Sequence, residues 1–329
     1  MYQISPQARP VTKEPCAGVN GFGSGTEFKL LFTRLNSSDT SRTVIIPAYR
    51  VAYSATGLPV VSGEDNPNAF FPKHFHFNVD WGDGTSDEYK RGSFRSTSLV
   101  HVYTFANHGI GQGETYSPTI TIRGYCPILQ PTRVGALFWR NHIKEIKFGN
   151  NGWFPESFKY RFKNHPQLTK VSYKTQNGTE VVNSLNNTFA DNSALTDVDF
   201  LNFKADNLTN LGGTFRNHNP SNTANKKLNV NCDKLDVRRV TNLSQMFWKA
   251  AMTTLDYTKL LLRWSENIQD PKSSATTFHS GAGNTQSKSN YFRHGQFYNS
   301  LFMGFKARNV LKQKLGNGTI NDGGGVEYL

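Results

Sequence analysis

The sequence predicts a mainly β protein with short helices, in which a sheet-forming region is followed by a stack of repeats. Residues 75–79 (FHFNV) alternate apolar and polar side chains, which is the pattern of a strand with one buried face. Asp83 and Gly84 follow, a pair that favours a tight turn between two strands. Farther along, Phe162 and Phe189 begin two similar segments 27 residues apart, which indicates repeated structural units.

Composition favours a folded protein with two domains. The chain has 329 residues, of which 36% are hydrophobic and 13% aromatic, enough to bury a sizeable core. The first residues lack the basic start and unbroken apolar run of an export signal. No later run approaches the roughly 18 apolar residues of a membrane-spanning helix. We therefore expect no membrane span and assembly in the cytosol.

The cysteines and the net charge limit which kinds of site and partner the protein can have. Cys16, Cys126 and Cys232 lie far apart without the paired spacing of zinc or redox sites, so we expect no disulfide framework, metal or cofactor. The formal net charge is +13, from 37 basic and 24 acidic residues. The basic residues are scattered and accompany no nucleic-acid-binding motif. This pattern favours an acidic protein partner or an anionic polysaccharide over nucleic acid.

The composition of the first part of the chain predicts an extended N-terminal arm followed by β-strands. Residues 1–26 contain three prolines and then several glycines, which is the composition of an extended N-terminal arm. Residues 28–32 and 43–47 are rich in β-forming side chains and are separated by a turn-forming cluster. We expect them to be the first strands of a sheet region that covers residues 27–125.

Three segments of this region resemble a known family. Residues 80–85 read DWGDGT, residues 101–103 read HVY, and residues 116–124 read YSPTITIRG. In this order they resemble PKD-type domains, which are immunoglobulin-like β-sandwiches. The structural turn that the resemblance implies consists of Trp81, Gly82, Asp83 and Gly84. Such domains usually serve as spacers or adhesion modules, so the fold alone does not assign a function.

Each repeat combines two elements. One is a Leu-x-x-x-Phe motif that ends at Phe189, Phe215 and Phe247, spaced by 26 and then 32 residues. The other is a Leu-x-x-Val-x-aromatic segment, as at 168–173 and 195–200, which predicts a short strand. Because Leu and Phe four apart share one face of a helix, we expect one helical turn in each unit. A single unit cannot bury both elements, so the copies should stack with the phenylalanines as an internal column.

The repeats also carry a resemblance. Residues 240–247 (VTNLSQMF) are similar to the repeats of BspA-like leucine-rich-repeat proteins. The resemblance implies a short leucine-rich-repeat solenoid over residues 126–265. A helix expected at 260–264 (LLLRW) and the segment at 307–324 resemble the end of such arrays. Residues 266–329 are then a C-terminal cap with an aromatic-rich segment.

Candidate sites compete with structural explanations. Four acidic side chains within residues 80–88 could hold Ca²⁺, but turn geometry explains their positions better. His74, His76 and His101 could converge, although packing is the simpler explanation. The acidic residues of the repeats fit caps and turns rather than a glycosidase pair, and no nucleophile or phosphate-binding motif is present. We expect no catalytic residues.

The most suggestive binding segment covers residues 278–308. Aromatic side chains alternate there with His, Lys and Arg, and aromatic and Arg side chains dominate binding hot spots. A cap over the last repeat would explain the same residues equally well. The candidate partner-contact residues are Tyr291, Phe292, Arg293, Phe297, Tyr298 and Phe302.

The two resemblances together imply a function. A PKD-like sandwich that leads into BspA-like repeats is typical of phage structural proteins and bacterial surface proteins. We expect a non-enzymatic bacteriophage virion protein, a tail, fibre or capsid-decorating component assembled in the host cytoplasm. Its partners would be other virion proteins, further copies of itself, or an anionic host-surface polysaccharide or receptor. A bacterial cell-surface adhesin and a tail-associated polysaccharide-degrading enzyme are the alternatives.

Overall fold

The structure of the chain, a computed structural model, is mainly β, as predicted, with two α-helices among the residues that it describes. These are residues 24–47, 51–53, 59–61, 76–90, 98–125, 140–149, 161–173, 182–203, 205–216, 228–250, 252–267, 278–279, 290–292, 295–297, 300–302, 304–314, 320–321 and 324–326. The helices are α1 (Thr254–Asn267) and α2 (Gly304–Lys314). The strands are β1 (Thr26–Leu30), β2 (Phe32–Thr33), β3 (Ser41–Pro47), β4 (Val51–Tyr53), β5 (Pro59–Val61), β6 (His76–Asp80), β7 (Ser86–Lys90), β8 (Ser98–Thr104), β9 (Thr115–Tyr116), β10 (Thr119–Tyr125), β11 (Ile143–Phe148), β12 (Lys170–Tyr173), β13 (Asp197–Asp199), β14 (Asn229–Val230), β15 (Phe278–His279), β16 (Asn290–Phe292), β17 (Gly295–Phe297), β18 (Ser300–Phe302), β19 (Ile320–Asn321) and β20 (Gly324–Val326).

Eight of these strands form one continuous sheet in the order β14-β13-β12-β11-β1-β10-β6-β7. The strands β11 to β14 run parallel, whereas the other neighbours in the sheet are antiparallel. β1 pairs with β10 on one side, where Phe28 lies opposite Ile120, and with β11 on the other, where Phe28 lies opposite Ile146. The sheet therefore continues through the boundary expected near residue 125.

The first half contains the predicted hairpin. β6 pairs antiparallel with β7, and the buried Phe77 lies opposite Tyr89. β3 and β8 pair antiparallel in a separate ladder, whose inward side chains Val44 and Leu99 belong to the same core as Phe77. Of the predicted N-terminal arm, residues 1–23 lie outside the described residues, and β1 begins at Thr26.

The repeats are held together by hydrogen bonds outside the strands as well. The Phe189 N–H donates to the Thr214 carbonyl at 2.9 Å, and the Phe215 N–H donates to the Met246 carbonyl at 2.8 Å. Threonine hydroxyls add further bonds between units. Among them, Thr196 Oγ1 donates to the Thr169 carbonyl at 3.1 Å. Each unit therefore satisfies the polar backbone of the next, as buried main-chain groups require.

The predicted turn of helix in each repeat is wrong. The Leu-x-x-x-Phe segments form tight turns, because several of their N–H groups donate to the neighbouring unit. One residue in each segment also lies in the left-handed region, namely Asn187 (φ 52°), Gly213 (φ 63°) and Gln245 (φ 55°). A right-handed helix cannot continue through such a residue. The Leu and Phe side chains reach the core from these turns instead.

The predicted phenylalanine column is present. Phe162, Phe189, Phe215 and Phe247 are fully buried. Successive rings stack nearly parallel, with centroids 5.6, 5.5 and 5.2 Å apart. The spacing in sequence increases from 26 to 32 residues at the last step, yet the stacking distance is kept. The stacking distance therefore does not depend on the length of the segment that connects two units.

A second aromatic column lies at the ends of the parallel strands. The rings of Phe148, Tyr173 and Phe200 stack with centroids 5.0 and 6.1 Å apart. The equivalent position of the next unit is Cys232, a buried free cysteine. There the Trp264 indole N–H of α1 donates to the Cys232 carbonyl at 3.1 Å. The predicted helix after the repeats is confirmed, and it packs over the end of the stack.

Candidate functional site

The DWGDGT turn links the β6–β7 hairpin to β8. The buried Trp81 ring stacks on the His101 imidazole, with centroids 4.6 Å apart and an interplanar angle of 7°. Its indole N–H donates to Asp87 Oδ2 at 2.8 Å, and its carbonyl accepts the Tyr103 hydroxyl at 2.6 Å. The turn thereby anchors the hairpin to the ladder of β3 and β8.

Asp83 has a structural role at the same turn. One of its oxygens accepts the Thr85 N–H and hydroxyl, and the other lies 2.7 Å from His101 Nε2. Burial raises the pKa of the Asp83 carboxyl, but the hydrogen bonds from Thr85 and His101 outweigh burial and lower it overall. The carboxylate is therefore ionised at neutral pH and bound to protein partners.

The other acidic side chains of the hairpin have partners of their own. Asp80 accepts from Arg123 at 3.4 Å, and Glu88 lies 2.5 Å from His76 Nε2. His76 and His101 thus bind different carboxylates, and His74 lies outside the described residues. In the part of the chain that the structure describes, no three His, Cys, Asp or Glu side chains are placed to hold a metal ion.

The outward side chains of five adjacent strands of the sheet, β1 and β11 to β14, form two polar rows, which we call the polar sheet face. One row consists of Lys29, Glu145, Lys170, Asp197 and Asn229, and the other of Glu27, Lys147, Ser172, Asp199 and Asn231. Ion pairs join Lys29 to Glu145 at 3.1 Å and Lys147 to Glu27 at 3.3 Å. At the other end, Asn side chains donate to Asp197 and Asp199 at 2.8 and 2.6 Å. The face is polar, fixed on strands and nearly balanced in charge.

A buried histidine lies inside the repeat stack. His165 is fully buried, and its Nδ1–H donates to the Lys163 carbonyl at 3.1 Å. Its main-chain N–H donates to Asn192 Oδ1 at 2.6 Å. Burial, aided by the positive charge of Arg140, lowers the pKa of His165 to about 3. The imidazole is therefore neutral near pH 7, and its bonds mark it as part of the scaffold.

The candidate partner-contact residues lie in short strands near the C-terminus. Tyr291 and Phe292 belong to β16, Phe297 ends β17 and Phe302 ends β18. Arg293 and Tyr298 lie outside the described residues. β17 and β18 pair antiparallel, and β16 pairs parallel with β20. Their role in contacting a partner stays a prediction.

Sequence reasoning missed a cleft at the end of the repeat stack. The cleft measures about 550 Å³ and lies between residues 233–238 and the C-terminal part of α1. We call it the end cleft. Its lining combines residues 233–236 and Arg238 with Arg263 and Asn267. The only signal in the sequence was the density of charges at 233–238 (DKLDVR), which does not reveal what faces them.

No protein-family model, curated protein or solved structure matches the chain. Neither described helix has the length and apolar content needed to cross a lipid bilayer.

Proposed function

We propose that this chain is a non-enzymatic structural and binding protein of a bacteriophage virion, a tail, fibre or capsid-decorating component. In this proposal the first half is a PKD-type immunoglobulin-like sandwich and the second half is a short leucine-rich-repeat solenoid. The Trp81 turn supports the first assignment. The parallel strands and the phenylalanine column support the second.

The continuous sheet is the observation that carries the proposal. Because β1 is hydrogen-bonded to both β10 and β11, the two halves share one backbone framework. The polar sheet face covers β1 and β11 to β14 of this framework and holds its charged groups on strands rather than on loops. Fixed charges on a broad surface favour selection of a partner by charge complementarity. A net charge of +13 adds long-range attraction toward an acidic subunit or surface.

The ends of the chain complete the proposed arrangement. The N-terminal arm would attach the protein to the particle, and the aromatic C-terminal segment would contact a neighbouring subunit or the host surface. Both assignments rest on composition, since aromatic and Arg side chains are frequent at binding hot spots.

Mass spectrometry and electron microscopy of purified phage particles test the proposal. We expect the chain in particles purified by density gradient, at a fixed copy number, with density for it on the tail or capsid surface. Recovery only with the bacterial envelope would favour the adhesin alternative. New reducing ends after incubation with host capsule would show that the protein is an enzyme and overturn the non-enzymatic assignment.

A charge-reversal pair tests the role of the polar sheet face. Lys170 is exposed on β12 between Glu145 and Asp197 of the neighbouring strands. We expect Lys170→Glu to reduce incorporation into particles, because three acidic side chains would then be adjacent. Lys312→Glu, at an exposed position of α2, is the matched control and should be incorporated normally. Equal incorporation of both variants would exclude the sheet face as the docking surface.

A further inference from the structure

The end cleft has the dimensions of a ligand site. Its volume of about 550 Å³ falls within the roughly 300–1,000 Å³ that small-molecule sites occupy. It opens where α1 packs over the last repeat. The charged and polar side chains that line it are Asp233, Lys234, Asp236, Arg238, Arg263 and Asn267.

Two carboxylates of the cleft are held by neighbouring cations. Arg238 Nε donates to both oxygens of Asp236 at 3.0 Å. These hydrogen bonds outweigh burial and lower the pKa of the Asp236 carboxyl. Lys234 Nζ lies 3.0 Å from Asp233 Oδ2. A carboxylate offers about four acceptor positions, so Asp233 keeps capacity for a ligand hydroxyl.

Arg263 is the cation with the weakest protein pairing in the cleft. The Arg263 guanidinium lies 3.7 Å from the Glu266 carboxylate, and the two side chains are 57% and 68% exposed. Exposed pairs at this distance contribute little, because water screens them. A guanidinium can bind a carboxylate through two parallel hydrogen bonds. Arg263 is therefore the group best suited to pair with an anionic ligand.

The mixture of charges limits the kind of ligand. Lys234, Arg238 and Arg263 exceed the two carboxylates of the lining by one positive charge, which Glu266 beside Arg263 and the partial negative charge at the C-terminal end of α1 offset. A nucleic-acid strand would bring several phosphates close to Asp233 and Asp236. A sugar with a single carboxylate instead presents one anionic group and many hydroxyls. This chemistry matches one arginine together with carboxylate and amide acceptors.

We propose that the end cleft binds a carboxylate-bearing saccharide unit. Arg263 pairs with the sugar carboxylate, and Asp233 and Asn267 hydrogen-bond its hydroxyls. This inference rests on the proposed binding function and names the ligand class of one surface. It makes the cleft a contact point for an acidic polysaccharide.

Isothermal titration calorimetry on the full chain tests the inference with three saccharide probes, and with oligothymidylate as a nucleic-acid probe. The saccharide probes are galacturonate and sialyllactose, which carry one carboxylate each, and lactose, which is neutral. We expect dissociation constants of roughly millimolar or below for at least one acidic probe, and binding of lactose weaker by about tenfold. Arg263→Gln should weaken binding of that acidic probe by about tenfold or more, and Arg263→Lys should retain part of it.

Lys312→Gln is the control, because it removes an exposed helical cation outside the cleft and should bind like the parent. Thermal unfolding of each variant checks that the fold is kept. Absence of binding to both acidic probes, or equal binding by Arg263→Gln, overturns the inference. Arg263-dependent binding of oligothymidylate without sugar binding would reassign the cleft to nucleic acid. Presence of the chain in virions is measured separately, so either proposal can fail alone.

Discussion

Replacing Phe189 by alanine tests whether the phenylalanine column stabilises the repeat stack. The ring is fully buried and stacks between Phe162 and Phe215 at 5.6 and 5.5 Å. Truncating a buried phenylalanine to alanine costs about 3–5 kcal/mol. Each aromatic pair contributes about 0.5–1.5 kcal/mol beyond burial, so two lost pairs place the expected cost near the upper end. This is a large share of the roughly 5–15 kcal/mol that stabilises a typical domain.

Urea unfolding followed by circular dichroism measures this cost. Phe189→Leu keeps most of the buried volume but loses both ring pairs, so it should cost about 1–3 kcal/mol, less than Phe189→Ala. Leu201→Ala is the control, because that side chain is 61% exposed and its loss should change stability by no more than about 0.5 kcal/mol. A cost below about 1 kcal/mol for Phe189→Ala would contradict the role of the column.

A double-mutant cycle separates stacking from simple burial. Alanine at both Phe189 and Phe215 removes two rings in contact, and we expect a coupling energy of about 0.5–3 kcal/mol. Alanine at both Phe162 and Phe247 removes rings at opposite ends of the column. Their effects should add within about 0.5 kcal/mol. Additivity in both cycles would mean that the rings act as separate core residues.

Three further predictions address the turn, the buried histidine and the helix cap. Gly82→Ala should cost more than about 1 kcal/mol, because φ is +76° and the new Cβ would lie 2.5 Å from the Thr119 carbonyl oxygen. Gly84→Ala, at φ +90° with open space around it, should cost less in the same urea assay. The unfolded chain binds more protons than the folded chain between the folded pKa of His165, about 3, and its ordinary value of 6.5. Stability should therefore fall as the pH drops through this window, by up to about 5 kcal/mol, and unfolding curves of His165→Leu should show a smaller decrease. Thr253→Ala removes the hydroxyl that accepts a main-chain N–H at the start of α1, and its melting curve should indicate a loss of about 0.5–2 kcal/mol.

Local patterns predicted the elements whose own residues decide their structure. The alternation at 75–79 predicted β6, because successive side chains of a strand point to opposite faces. The recurrence of phenylalanine predicted the column, because equivalent positions of stacked units lie above one another. In both cases the interaction that determines the structure lies within one segment or between similar repeats.

Interactions between distant and dissimilar segments could not be predicted in the same way. The prediction of a helical turn before Phe189 was wrong, because the Phe189 main-chain N–H donates to the Thr214 carbonyl in the next unit. The pairing of β1 with β11 joins Phe28 to Ile146, and nothing in either segment identifies the other. The end cleft likewise depends on how α1 places Arg263 against the last repeat, and this packing is not evident from either segment alone.

The position of β1 between β10 and β11 has a mechanical consequence. Swinging the repeat stack away from the first half would break the β1–β11 ladder and expose the buried Phe28 and Ile146. Reorientation is therefore opposed by main-chain hydrogen bonds as well as by packing. In the proposed virion, this stiffness would keep the repeat stacks of neighbouring copies in a fixed orientation. Weak contacts made by several such copies would then combine into a tight multivalent attachment.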